Sequence, residues 1–411
     1  MAINIKNLQE RIQKKIFSVS PSTPTADLGD IVEAATLATG SLRQYDSAGL
    51  LPSVTSTQAQ IAYTKKDNAI KHKSANTTTW KTLTSDAYAA GPTGPSFAIQ
   101  GSTYGWSLGG TTGSPPSTGW SNVIQKWSYA SDGDGSDAGD LTGDYRNFVV
   151  GKSSTKGYLI GGNPESSTPS RRNNIESYAF ASDGNAAAQP GTMLTAVYSG
   201  ATEPMSPVAY DFIYIGGMNK VAPSTTDTAI ERFPTADDTA NSTDVGDLNQ
   251  PKSNSCNHSD GSFGYVSGGS EPTSPVLRGN SIDRFPFAAT TDASDVGDLT
   301  QTRNGAGASS STTHGYSAGG SAPPTNPVSN VIEKFGFAAS NNATDVGDLL
   351  AQIFYGGGNS STTHGYHFGG RSPSVPVSNT IEKYSHSSDA NSTDVGNLYQ
   401  NARDKPGGLE S

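Results

Sequence analysis

Five acidic side chains recur at one place in a repeated phrase: Glu176, Glu231, Asp283, Glu333 and Glu382, each after an isoleucine and before an aromatic. Carboxylates in such numbers invite a general acid/base assignment, yet five equivalent copies spread along a repeat cannot converge on one substrate. Their spacing points instead to a repeated hydrogen bond or ion pair. The heptapeptide SSTTHGY, at residues 310–316 and again at 360–366, raises the same question for histidine. Aligned on the glycine pairs described next, His314 and His364 share their position with Tyr104, Lys156, Asp211 and Phe263, a set that no metal or proton-transfer role tolerates. Because glycine follows in most copies, the segment reads as a tight hairpin turn with a residue and glycine at positive φ. DGDGSD, at Asp132 to Asp137, alternates oxygen ligands as a calcium loop does, but it lacks the bidentate glutamate downstream and reads as a turn. Cys256 and His258 lack a second thiolate or a base geometry and read as an incidental loop feature. The expectation is therefore no catalytic residue, no metal and no cofactor.

The elements that carry these residues form a cycle. Glycine pairs close a short apolar strand at Gly109–Gly110, Gly161–Gly162, Gly216–Gly217, Gly268–Gly269, Gly319–Gly320 and Gly369–Gly370. A Pro/Ser/Thr-rich loop follows each pair, then a strand with a central isoleucine (NVIQKW, NNIESY, TAIERF, NSIDRF, NVIEKF, NTIEKY), then VGDL or a variant of it. About four short strands in about 50 residues is the period of a propeller blade, and six periods close a ring. Aromatics keep the beat in two series, Trp127, Tyr178, Phe233, Phe285, Phe335 and Tyr384, and Trp106, Tyr158, Tyr265, Tyr316 and Tyr366, where blades should pack.

Composition agrees. The 411 residues include 47 Gly and 24 Pro, with 33% hydrophobic residues, which favours short strands and turns over long buried helices. One cysteine excludes an internal disulfide, and no apolar run reaches the 18 residues that membrane insertion would need. Residues 1–90 hold 10 Lys+Arg against 7 Asp+Glu, so the rest is more acidic than the net −10 of the whole chain, which disfavours nucleic acid as a partner.

The order GAGASS, HGYSAGG, NVIEKFGFA and ATDVGDL, from Gly305 to Leu349, resembles a kelch-type blade, with VGDL where the cellular pattern has a Trp. That variant is similar to kelch-like repeats in structural proteins of tailed bacteriophages. The resemblance implies binding rather than catalysis, and a place in the virion, assembled in the host cytoplasm. Residues 1–90 read as a small α+β anchor. A helix there carries the stripe Ile5, Leu8, Ile12 and Ile16, and two strands, TQAQIAYTK and AIKHKS, follow. The stripe is expected to dock on other virion proteins or on its own copies. The overall expectation is all-β: the anchor at 1–90, a six-bladed kelch-like propeller at 91–403 whose first strand is SFAIQG at 96–101, and a tail at 404–411. A carbohydrate-active propeller enzyme and a cellular kelch-type scaffold are the alternatives. Partners, another protein or a host-surface glycan, are expected on the loops between second and third strands, where Trp120, Arg171, Arg172, Lys220, Arg278 and Arg371 stand out from an acidic background.

Overall fold

The computed structural model describes residues 100–112, 119–164, 172–198, 212–220, 227–237, 239–270, 279–321, 327–338, 340–372, 377–399 and 403–411, with Met205, Ser374 and four short strands before residue 83. The chain divides into two compact units, Met1–Ser96 and Phe97–Ser411. In the first unit, Arg43–Tyr45 pairs parallel with Gln60–Thr64, which pairs antiparallel with Ala69–Lys73, which pairs with Lys81–Thr82. The helix expected around Ile5, Leu8, Ile12 and Ile16 lies outside the described residues.

The second unit is an all-β propeller of six blades. Blades 4, 5 and 6 are regular four-stranded meanders: Cys256–Ser259, Phe263–Ser267, Ser281–Pro286 and Ser294–Asp298; Gly307–Ser310, His314–Ala318, Val331–Gly336 and Thr344–Asp348; Gly357–Ser360, His364–Phe368, Thr380–Ser385 and Thr393–Asn397. Blade 2 comprises Val149–Lys152, Lys156–Ile160, Arg172–Ala179 and Ala187–Tyr198. Blade 3 comprises Phe212–Ile215, Asp227–Pro234 and Thr243–Lys252, with Met205 bridged to Tyr214 on the inner side.

Blade 1 corrects the expectation for the chain's end. Its outer three strands are Tyr104–Leu108, Gly119–Ser128 and Ser136–Arg146, but its inner strand is Gly407–Glu410, antiparallel to Tyr104–Leu108. The expected tail thus completes the first blade, and Gly101 donates its amide to Ser360 of blade 6 rather than starting an inner strand of its own. The closing strand is anchored at both faces: Leu409 is fully buried, and Glu410 forms an ion pair with Lys152 of blade 2 at 2.6 Å.

Aromatics form the joints as their spacing suggested. The second-strand ring of each blade meets the third-strand ring of the next at all six seams: Trp106–Tyr178, Tyr158–Phe233, Tyr214–Phe285, Tyr265–Phe335, Tyr316–Tyr384 and Tyr366–Trp127. Centroid distances of 5.3 to 6.4 Å place every pair in the favourable range for aromatic contact. Tyr214 completes the series that the sequence left one short.

The hairpin expectation for SSTTHGY needs a correction. His314 and His364 open the second strand, and the turn before each is held by a serine hydroxyl: Ser311 and Ser361 accept from the amides of His314 and His364 at 3.0 and 2.9 Å. Gly315 is extended, and it is glycine because the ring opposite it lies on its Cα. A Cβ there would stand 2.5 Å from Cζ of Phe335, its cross-strand neighbour.

Candidate binding face

The repeated carboxylates that follow the central isoleucines each have a seam to hold. Glu176, Glu231, Glu333 and Glu382 each accept the amide of the residue after the GDL-type corner of the preceding blade: Thr142, Leu194, Thr300 and Leu350, at 2.6 to 3.3 Å. Gln125 does the same for Tyr399 across the seam from blade 6 to blade 1. Asp283, one methylene shorter, instead pairs with the ammonium of Lys252 at 3.3 Å, both side chains fully buried. These groups sit inside the joints, as a repeated structural bond requires. Burial is the largest influence on Glu382 and raises its pKa, against the hydrogen bonds from Ser392 and Leu350.

A second set of seam bonds explains DGDGSD and VGDL together. The amide of the third residue of the corner is captured by an Asn or Asp of the next blade: Asp140 by Asn185, Asp247 by Asp292, Asp298 by Asn342, Asp348 by Asn391 and Asn397 by Asp134. Asp132 forms an ion pair with Lys383, as Asp183 does with Lys126 and Asp389 with Lys334. Asp132 and Asp134 of the calcium-like loop thus bridge an ordinary seam, while Asp137 accepts the amide of Gly139 within its own corner at 3.0 Å. The corner glycine permits the approach: Gly347 has φ of 156°, and a Cβ on it would lie 2.4 Å from the carbonyl oxygen of Ala390.

Cys256 and His258 are strand residues rather than loop residues, and both are buried. Cys256 Sγ reaches the carbonyl of Ala306 at 3.4 Å, while His258 bonds Ser309 O through Nδ1 at 3.2 Å and Ser267 Oγ through Nε2 at 3.0 Å. They therefore stitch blade 4 to blade 5. Burial lowers the pKa of His258 to about 4, partly offset by the Ser309 carbonyl, and holds its ring neutral. All residues of the five described inner strands are buried, so along these strands the axis is packed.

The symmetry breaks at the end of the ring where second-to-third-strand loops emerge. Trp120 is the second residue of the third strand of blade 1, and the Arg146 guanidinium lies 4.3 Å from its ring centroid. Arg172, in blade 2, lies 4.7 Å from the ring of Tyr145, hydrogen-bonds its hydroxyl and pairs with Glu176 at 3.5 Å. Arg371 stacks near Phe354 and Tyr355 at 5.3 and 5.6 Å, with Nε 3.4 Å from Asp404. Lys405 Nζ stands 4.0 Å from the Tyr355 centroid.

Of the six loop residues expected to mark a binding face, Trp120 and Arg371 therefore join one cluster and Arg172 stands by a neighbouring seam. Lys220 pairs through its backbone with Val197, and Arg171 and Arg278 lie outside the described residues. Arg146, Tyr355, Asp404 and Lys405 were missed. Lys405 did carry a signal: it stands 50 residues after Tyr355, which stands 50 after Gly305, and all three have positive φ. Their amides form a chain at the mouth of the ring, from Lys405 to Tyr355 O and from Tyr355 to Gly305 O.

The fold and this face together define a six-bladed β-propeller with a cationic, aromatic end. No family model matches the chain, and no curated protein matches it.

Proposed function

We propose that the protein is a structural component of a tailed-phage particle, attached through its amino-terminal unit and displaying the propeller to bind a protein or a host-surface glycan. The kelch-like order of motifs and the phage-type VGDL corner support this reading. The observation that carries it is the division of labour within the ring. The repeated carboxylates, amides and aromatics are committed to seams, whereas the unrepeated cations and aromatics gather on the loop end, where a partner can reach them. Display requires that scaffold and face be separable in this way. In this reading the stripe Ile5, Leu8, Ile12 and Ile16 is the attachment element.

The test is incorporation. Deleting residues 1–20 should remove the protein from purified particles while the isolated chain still shows the melting transition of its propeller. Undiminished incorporation of the deletion would overturn the attachment role, and absence of the full-length chain from particles would overturn the virion assignment.

A further inference from the structure

We propose that the point where blades 6 and 1 meet is a site for the carboxylate or phosphate group of an anionic sugar. This deepens the display reading by naming the class of ligand, and it rests on that reading only for its biological setting.

Three cations from three segments surround one carboxylate. Arg146 ends the outer strand of blade 1, Arg371 follows the second strand of blade 6, and Lys405 heads the closing strand beside Asp404. Asp404 is 4% exposed and burial raises its pKa, against the opposing effects of Arg371, Lys405 and Arg146. One buried carboxylate does not neutralise three cations. Burial lowers the pKa of Lys405 to about 8, with Asp404 opposing and Arg146 and Arg371 adding to the fall. Nε of Arg146 is buried without a hydrogen-bond acceptor among the described residues, and Nε of Arg371 reaches Asp404 at a long 3.4 Å. Unsatisfied guanidinium donors are costly unless an acceptor arrives, and the planar fork fits a carboxylate or phosphate.

The surroundings favour a sugar over an extended peptide. Thr111–Thr112 is paired on both sides, with Arg403–Asp404 and with Gly119–Trp120, and the end of Ser136–Arg146 is covered by Asn163–Pro164. The strands left at the edge here, Arg403–Asp404 and Asn163–Pro164, are two residues long, too short a template for a peptide to extend. Half-buried Trp120 and Tyr355 instead flank the cations with flat apolar surface. Because the site joins blade 6, blade 1 and the closing segment, a bound anion should also stabilise the ring by mass action.

Calorimetry on the full-length protein tests this, with D-glucuronate and glucose 6-phosphate as probes, glucose as the neutral control, a Glu-rich peptide as the competing class, and sodium chloride at matched ionic strength. Both anionic sugars should bind and raise Tm, and glucose and chloride should not. Arg146→Gln with Arg371→Gln should weaken binding at least about tenfold. Arg146→Lys, which keeps the charge and loses the fork, should weaken it by a smaller factor and guards against a double variant that fails to fold. Equal stabilisation by glucose or chloride, or unaltered binding by a folded double variant, would overturn the site. Preference for the Glu-rich peptide would overturn the sugar. Since these readouts use isolated protein, they stand whether or not the chain is found in particles.

Discussion

The seam between blades 4 and 5 and the closure of blade 1 solve one problem by opposite means. The seam is a sum of modest, repeated contacts: Glu333 on the Thr300 amide at 2.6 Å, Asn342 on that of Asp298 at 3.0 Å, and Tyr265 against Phe335 at 5.8 Å. Each has counterparts around the ring, so stability is distributed. The closure is a single strand of four residues brought back across the ring, with one buried ion pair, Lys152–Glu410, at its end. Distribution tolerates damage, and concentration does not.

The largest effect should come from the closure. Glu410→Ala takes the carboxylate from a buried Lys152, a change that typically costs about 3–5 kcal/mol. In a unit of this size that lowers Tm by roughly 10 °C. Deleting residues 405–411 also removes Leu409 and should cost more by calorimetry. A truncated chain that melts within a degree or two of the full protein would erase the contrast between closure and seam.

Gly347→Ala tests whether a seam can absorb a clash. Its Cβ would meet the Ala390 carbonyl at 2.4 Å from a backbone conformation that disfavours side chains, so the urea midpoint should fall by an amount equivalent to more than about 1 kcal/mol. Gly184→Ala, with nothing within 4 Å, should stay within about 0.5 kcal/mol of the parent.

Acid should attack joints at both levels. Burial holds His258 and His367 at about 4, and His386, stacked on Tyr316, at about 3, where its neighbours His364 and His314 lower it further. In the unfolded chain these rings bind protons below their ordinary 6.5, and in the folded protein they do not until much lower pH. Their contribution is therefore complete above about 6.5 and is lost as pH falls toward 4. Tm should decline through that window, and His258→Gln or His367→Gln should flatten the decline. Among the interactions broken, the smallest effect is expected at the rim: Lys334→Ala breaks an ion pair whose Asp389 side chain is 56% exposed, and should cost less than about 1 kcal/mol in chemical denaturation.

The ring was legible because its joints use large or special residues at a fixed step. Isoleucine, glycine pairs and aromatics announce themselves by type, and a repeated carboxylate betrays a structural role by being repeated. The inner strands were harder to see, since they hold small residues such as GASS and GGNS and lack alternation: with all four positions buried, no polar face marks one side. GGLE was mistaken for a tail for this reason, although Gly307, Gly357 and Gly407 keep the 50-residue step that identifies it. The cationic cluster was half legible. Trp120 and Arg371 stood out as exceptions within loops, but Arg146, Asp404 and Lys405 come from strand ends that only the closure brings beside them.

That closure also sets a clock. About 300 residues separate Leu108 from Glu410, and at roughly 5–20 residues per second a ribosome takes about 15–60 s to supply the missing strand. During that interval the inner edge of Tyr104–Leu108 has no partner from its own chain, and on a polysome the nearest GGLE strand can belong to a neighbouring nascent copy. Slow synthesis should therefore favour strand-exchanged dimers, and the yield of rings closed by their own last strand should depend on how quickly the last five blades are made.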